Sequence, residues 1–499
     1  FHEMWDSKNE LEWAAGYNMV DADEPNRIRN EVNVHPTLPI LLGETGAFQQ
    51  RKSNQQIDDM EFNGFIQDQY NFINDEETEK KAFVKFGGNY RNKERDFYSK
   101  FYGVEERNFN TVNPESIDNL SGIFTTENFN DRSLIVNNLD PDLYNGTLES
   151  IAGFAFFNYG NAKWNLNLGA RFQKDDIDVV FDVNNYPSNL PNFVYKSYDN
   201  IYPSINLRFS PNDNSNIRLA ASRTITLPEF KEIAPFEYVA QTGIITRGNP
   251  NLEASTNTNF DLKYEIFPSS GEVLSLTGFY KKINDPINKA RERGSAPVFS
   301  YFNAGDEANI YGIELEARMD VIDNKNEAGL DLAVAGNVTR MWHSQDLKDV
   351  FNEEGTFVRT FRYNGKDEIG LQGASDWILN GSINLATETE NPFTATLVGA
   401  YASDKIFALG NPESQRLDQI DIQYNNEIIE KGFVTLDLIM SKQLNDNWEL
   451  EFRGQNLLNP EIKRVQEIRP ISGNVPASNQ TVRSYDRGAV LSLGVSYNF

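Results

Sequence analysis

The side chains that most often do chemistry are few here and scattered. Three histidines, His2, His35 and His343, stand far apart and there is no cysteine, so a tetrahedral zinc site has no ligand set and a thiol nucleophile is absent. Serines, histidines and aspartates fall at unrelated positions, which assembles no nucleophile, base and orienting acid, and there is no glycine-rich cofactor loop. An enzyme is the poorest reading, and neither a metal nor a cofactor is expected. Glu105, Glu106, Asp140 and Asp142 lie in one acidic stretch but lack the spacing of a calcium loop, so solvated charge is their expected role. Recognition is what remains. Between residues 226 and 254 the chain offers Glu229, Phe230, Phe236, Tyr238 and Arg247, aromatic faces beside a few polar groups, the mixture that small-ligand sites use. Residues 344–371 form a second stretch of that kind.

The elements that must position these groups are strands. Leu491, Leu493, Val495, Tyr497 and Phe499 alternate with Ser492, Gly494, Ser496 and Asn498, and Trp448, Leu450 and Phe452 oppose Glu449, Glu451 and Arg453. Ile313, Leu315, Ala317 and Met319 oppose Glu314, Glu316, Arg318 and Asp320, while Leu166, Leu168 and Phe172 oppose Asn167, Arg171 and Gln173. This is the period of a strand with one apolar and one charged face. Arg171, Glu314, Glu316, Arg318, Glu449, Glu451 and Arg453 therefore belong to a polar inner wall, as solvated lining or as contacts to something enclosed. Asp68 breaks the pattern by sharing a face with Met60, Phe62, Ile66, Tyr70 and Phe72; it marks either the end of its membrane crossing or a slip in register.

Composition narrows the class. The 73 acidic residues outnumber the 46 basic ones, for a net charge of −27, the wrong sign for a nucleic-acid partner. Aromatic residues make up 12% of the chain while mean hydropathy is −0.55. No run approaches the roughly 18 to 20 apolar residues of a membrane-spanning helix. A membrane β-barrel stays open, because alternating strands never sum to a hydropathy peak.

The connections decide for the barrel. Short polar turns are expected at residues 74–79, 159–161, 211–215, 268–271, 323–327, 388–391 and 444–447, and long connections at 21–56, 103–144, 182–196, 226–254, 284–303, 344–371 and 412–431. Short and long alternate, as in outer-membrane barrels with short periplasmic turns and long external loops; a soluble sandwich has no reason to place all its long loops at one end. The expected fold is all-β, a transmembrane antiparallel barrel of sixteen visible strands, the first near residues 9–20. A sixteen-stranded ring could also close as a passive porin.

Several stretches resemble the barrel of TonB-dependent receptors, in particular the Bacteroidota versions preceded by a carboxypeptidase-regulatory-like domain. They are "SRTITLPEFKEIAPFEYVAQTGIITRGNPNLEASTNTNFDLKYEIFPSSGEVLSLTGFYKKINDPI" from Ser222, "YFNAGDEANIYGIELEARMD" from Tyr301, "GARFQKDDIDV", "YDNIYPSINLRFSP", "GQNLLNP" and the closing "RGAVLSLGVSYNF". The resemblance implies a barrel of twenty-two strands around an N-terminal plug, driven through a TonB box. Residues 1–499 would then be the C-terminal part of the barrel, with the plug, TonB box and signal peptide lying outside this sequence. It further implies energy-coupled import of a ferric chelate, glycan, peptide or vitamin across the bacterial outer membrane. Long loops would be extracellular, and short turns and the C-terminus periplasmic. The partners would be outer-membrane lipid and lipopolysaccharide, TonB, and a surface lipoprotein or other envelope protein. The alternatives are a barrel subunit of an outer-membrane assembly that transports nothing, and the porin.

Overall fold

The computed structural model describes residues 2–4, 8–42, 50–75, 79–107, 112–240, 244–292, 298–322, 329–351, 354–387, 389–411, 426–468 and 476–499. Sixteen long strands run through it in chain order: β1 (Asn9–Arg29), β2 (Gln50–Asp75), β3 (Lys80–Glu106), β4 (Asp142–Gly160), β5 (Trp164–Asp182), β6 (Phe193–Asn212), β7 (Ser215–Thr226) and β8 (Ser255–Ile266). They continue as β9 (Val273–Asn284), β10 (Glu307–Ile322), β11 (Leu330–Asp346), β12 (Trp377–Thr387), β13 (Phe393–Ala402), β14 (Phe433–Gln443), β15 (Trp448–Gln455) and β16 (Val490–Tyr497). Each pairs antiparallel with the next, from β1–β2 to β15–β16. Among the described residues no pairing joins β1 to β16, so the sixteen strands make an open wall and not the closed ring a porin of that size needs. The free side of β1 carries the short strand His2–Met4, in register with Glu10–Glu12.

The wall is staggered as a barrel requires. One ladder row passes through Tyr70, Val84, Phe157, Leu168, Ile205, Ala221, Phe260, Tyr280, Tyr311 and Trp342. It starts near the short-turn end of β2 and finishes near the long-loop end of β11, the drift expected of strands tilted by about 35–45° to a barrel axis. Every member of that row lies on the apolar face, and that face is bare: Leu315, Ile201 and Leu493 are 56%, 60% and 70% exposed. An exposed apolar surface spanning sixteen strands faces lipid, since a soluble monomer rarely shows more than a few hundred Å² of it. Aromatic pairs sit at its margins, Trp164 stacked on Phe209 at 4.2 Å, Tyr311 on Trp342 at 5.6 Å, and Tyr70 edge-on to Phe72 at 5.0 Å. Asp68, opposite Leu11 and Phe86, lies on this face within two residues of the Tyr70–Phe72 pair, so it reads as a boundary residue in the correct register.

The short turns at 159–161, 211–215, 268–271 and 444–447 fall as expected; residues 323–327, 76–78 and 388 of the other three lie outside the described residues. Two connections differ. Residues 21–29 and 50–56 continue the β1–β2 ladder, because a charged hairpin beyond the membrane still satisfies its backbone by pairing while its side chains meet water. Residues 456–489 form a further long connection not expected from sequence; it holds strands Ile462–Ile468 and Ser478–Tyr485, whose own period-two pattern hides it.

The long connections pack on one another. Strands Glu237–Val239, Ile245–Arg247, Val298–Asn303 and Ile287–Arg291 form one small sheet, and Lys405–Ala408, Ile428–Glu430, Ile462–Ile468 and Ser478–Tyr485 another. A parallel bridge between Ala290 and Leu409 joins them, with the Leu409 N–H donating to the Lys289 carbonyl at 2.9 Å. The result is a lid of eight short strands at the long-loop end of the wall.

Candidate functional site

The wall reverses its polarity where the lid begins. On β5 the residues Ile177, Val179 and Phe181 are fully buried on the inner face while Asp176, Asp178 and Asp182 alternate with them on the outer face. This is the opposite of Leu168 and Phe172 outside against Arg171 inside, lower on the same strand. The inner apolar patch receives loop 226–254. Phe97 stacks on Tyr144 with ring centroids 4.7 Å apart, Phe236 lies 4.5 Å from Phe97, and Phe230, Ile233 and Ala234 complete the cluster. Gly146 on β4 makes room for it, since a Cβ there would fall 2.6 Å from Cγ of Phe230.

Between this wall and the underside of the lid is a cavity of about 580 Å³, the size of an ordinary ligand pocket. Gln55, Ile57, Arg95, Phe97 and Tyr144 line it from the wall. Lys231, Phe236, Tyr238, Lys289, Tyr301, Phe407, Arg464 and Arg483 line it from the connections. Among the described residues, five cations and no carboxylate therefore face one cavity in a chain of net charge −27.

Their partners differ. Arg95 makes a bidentate pair with Asp59 at 2.5 Å, and Lys231 lies 3.1 Å from Glu229. Arg464 pairs with Glu430 at 2.8 Å and lays its guanidinium 3.6 Å from the Phe407 ring centroid. Arg483 stands directly opposite Arg464 across the strand pair, an arrangement that like charges disfavour. Neither Arg483 nor Lys289 has a carboxylate partner among the described residues. The Lys289 ammonium sits 5.3 Å from both the Phe299 and Phe407 centroids; burial, then Arg464 and Lys231, hold its pKa below the ordinary lysine value. Burial, with Glu232 and Glu229 behind it, pushes the Tyr301 hydroxyl up to about 12, so it remains a neutral donor. Chemically the arrangement offers fixed positive charge, aromatic faces and a hydroxyl donor, and suits an anion carrying rings or apolar edges.

Of the expected recognition residues, Phe236 and Tyr238 line this cavity. Phe230 is buried in the cluster behind it, Glu229 receives no part of the cavity and its backbone N–H donates to Glu232 at 3.0 Å, and Arg247 is held by Glu237 and by Glu292 at 3.2 Å. From the second stretch, Leu347, Phe361, Tyr363 and Ile369 pack into the lid core.

The expected wall residues lie on the strand face opposite the bare apolar one, and none of them lines this cavity. Arg171 donates to Gln173 at 2.7 Å and Asn89 at 3.2 Å, Glu314 accepts from Thr339 at 3.2 Å, and Glu316 accepts from Lys263 at 3.2 Å and Ser275 at 3.1 Å. Arg318 is exposed, Glu449 accepts from Ser441, and Glu451 pairs with Arg453. Sequence reasoning missed Lys289, Tyr301, Phe407, Arg464 and Arg483. The available signal was the excess of basic over acidic residues in the loop segments Ile287–Arg291, Ile462–Ile468 and Ser478–Tyr485 of an acidic chain.

The model of the family described as TonB dependent receptor-like, beta-barrel matches residues 5–457. No curated protein matches the sequence. Among solved structures, the ferric citrate transporter FecA superposes with a TM-score of 0.56 at 12% identity, over 100% of this chain and 60% of that one. The ferric-catecholate import receptor Fiu from K12 E. coli gives 0.56 at 11% identity, over 100% and 63%. BauA, the ferric preacinetobactin receptor from Acinetobacter baumannii, gives 0.54 at 14% identity, over 100% and 61%. The chain thus spans a little over 60% of the length of structures that it resembles in fold.

Proposed function

This chain belongs to the TonB-dependent receptor-like β-barrel family, and on that premise we propose that it is the larger part of the wall of an outer-membrane receptor importing an anionic, ring-bearing ligand. The cavity carries the reading: among the described residues five cations converge on it without a lining carboxylate, and Lys289 and Arg483 are held there without ion-pair partners. The loop end of the wall faces outward and the short turns face the periplasm. The ligand enters beneath the lid, binds against Phe236, Tyr238, Tyr301 and Phe407, and leaves through a lumen lined by the polar wall, with no bond made or broken. Strands adjoining β1 and β16, a plug and contact with TonB complete the machine in the whole protein. Lipid and lipopolysaccharide surround the apolar face, and Asp68 lies at its inner margin.

The neighbours above are named for ferric citrate, a ferric catecholate and ferric preacinetobactin; a metal chelate with acidic donor groups is the ligand class that the charge of this cavity suits best. Binding of anionic and neutral chelates to the full-length receptor tests the reading, alongside growth of a deletion strain across iron and carbon sources. Anion-selective binding and a growth defect on one source are expected. Equal binding of neutral chelates, or uptake unchanged by the deletion on every source, would count against it.

A further inference from the structure

A second and smaller basic pocket lies on the inner wall at the loop end of β1–β3. Its volume is about 120 Å³, roughly that of four waters at about 30 Å³ each, which fits a single oxyanion group and is too small for a whole chelate. Arg27, Arg29 and Arg51 line it together with the hydroxyls of Ser53 and Ser99. The strand register sets the cations side by side: Arg29 pairs with Arg51 and Arg27 with Ser53 across β1–β2. Arg29 is held by Glu31 and Arg27 lies 3.6 Å from Glu24, but the Arg51 side chain has no ion pair or hydrogen bond among the described residues, Glu31 acting on it only through its charge.

Two carboxylates also border the pocket, and both are engaged elsewhere. Asp142 accepts from the Asn184 backbone N–H at 2.7 Å and from its side chain at 2.9 Å, and Glu237 accepts from Arg247 and from Asn185 at 2.9 Å. An arginine fork without an acceptor, opposed by a like charge across the ladder, is a donor set arranged for a planar or tetrahedral oxyanion.

We propose that this pocket is an oxyanion site taking one phosphate, sulfate or carboxylate group, either free or carried on a larger molecule. It is separate from the large cavity, with which it shares, among the described residues, only Gln55 and Phe236 as a common wall, and it stands whether or not that cavity holds the imported ligand.

The test uses the full-length receptor in detergent micelles, titrated with inorganic phosphate, and crystals soaked in selenate. Selenate density between Arg29 and Arg51 is expected. Arg51→Gln should weaken phosphate binding about tenfold, the size of one charge-assisted hydrogen bond, Arg51→Lys should weaken it less, and Lys80→Met, at the opposite, short-turn end of the β2–β3 ladder, should leave it unchanged. Circular dichroism checks each fold, and Arg51→Lys carries the test if Arg51→Gln does not fold. Phenyl phosphate, too large for the pocket, separates the sources: dependence on both Arg51 and Lys289 shows a group presented by a larger ligand, and failure to bind beside tight inorganic phosphate shows a free anion. Phosphate affinity equal in wild type and Arg51→Gln, sensitivity to Lys289→Met instead, or a carboxylate of the whole protein filling the pocket would each overturn the proposal.

Discussion

Lys289 concentrates the chemistry of the cavity in one side chain. Its ammonium is squeezed between two phenyl rings and faces two other cations, and burial and those charges lower its pKa. The lowered value has opposite consequences for stability and binding. While the lysine is protonated, the folded state bears the cost of a buried charge. That cost lifts as pH rises from the folded value towards the ordinary one of about 10.4, so the lid gains stability through that window. Anion affinity runs the other way, falling as the proton is lost. Ligand affinity measured by calorimetry across the alkaline range should therefore decline earlier than an unperturbed lysine allows, and Lys289→Arg, which cannot lose its charge there, should flatten the profile. Lys289→Met should weaken binding about tenfold or more at neutral pH; a flat wild-type profile and unaltered Lys289→Met affinity would remove the lysine from the site. None of this was legible in sequence. Lys289 is one ordinary residue of "INKAR", and its neighbours Phe299, Phe407 and Arg464 come from three separate connections.

At the scale of elements, the motifs shared with receptor barrels turn out to be fasteners. In "RGNPNLEAS", Gly248 touches the end of the short helix Phe230–Ile233: a Cβ there would lie 1.9 Å from the Ala234 carbonyl oxygen. Asn249 then ties the loop down, its N–H donating to the Glu232 carbonyl at 2.6 Å and its side chain to the Tyr301 carbonyl at 2.8 Å. Gly248→Ala should cost about 1–3 kcal/mol by overpacking, read as faster hydrogen exchange confined to residues 226–254 and the cavity wall they form. In "GQNLLNP", Asn456 and Asn459 have φ of 53° and 40°. Asn456 donates to the Gly488 carbonyl at 2.9 Å, and Asn459 accepts from the Gly488 N–H at 2.8 Å, so both ends of the 456–489 connection are held together. Asn459→Gly keeps the backbone relaxed but loses the bond from the Gly488 N–H, a cost of about 0.5–1.5 kcal/mol, while Asn459→Val should cost about 1–2 kcal/mol more in thermal unfolding, the penalty of a branched residue in left-handed backbone. The sixteen wall strands were readable because lipid on one side and water on the other imposes period two on every one of them. The lid was not readable. Its strands pair across distant parts of the chain, and its core, with Phe302, Phe361, Tyr363 and Ile406, follows no local pattern.

For the whole molecule, the decisive feature is where the wall exchanges its faces. Along β5, Trp164, Leu168 and Phe172 point to the same side as Asp176 and Asp178, yet the first three are bare apolar groups and the last two are charges. Asp176 pairs with Lys174 at 2.8 Å and accepts from Tyr195 at 3.0 Å. One face of one strand cannot be lipid-facing along its whole length with that composition, because a charge at mid-bilayer is costly. The membrane must end between Phe172 and Asp176, and above it the wall stands in water on the outside while its inside packs against loop 226–254. The same boundary explains why β1–β6 are far longer than the roughly 9–11 residues a crossing needs. It also places the cavity and its cations beyond the bilayer, at the long-loop end of the wall. Two substitutions on the same strand and face separate this from a wall wholly embedded or wholly soluble. Leu168→Arg should destabilise folding into lipid bilayers by about 2–4 kcal/mol, the midplane cost of arginine, whereas Asp178→Arg should change it by no more than about 0.5 kcal/mol, as an exposed site does. Equal costs at both positions would place the boundary elsewhere, and no cost at either would mean that this face never meets lipid.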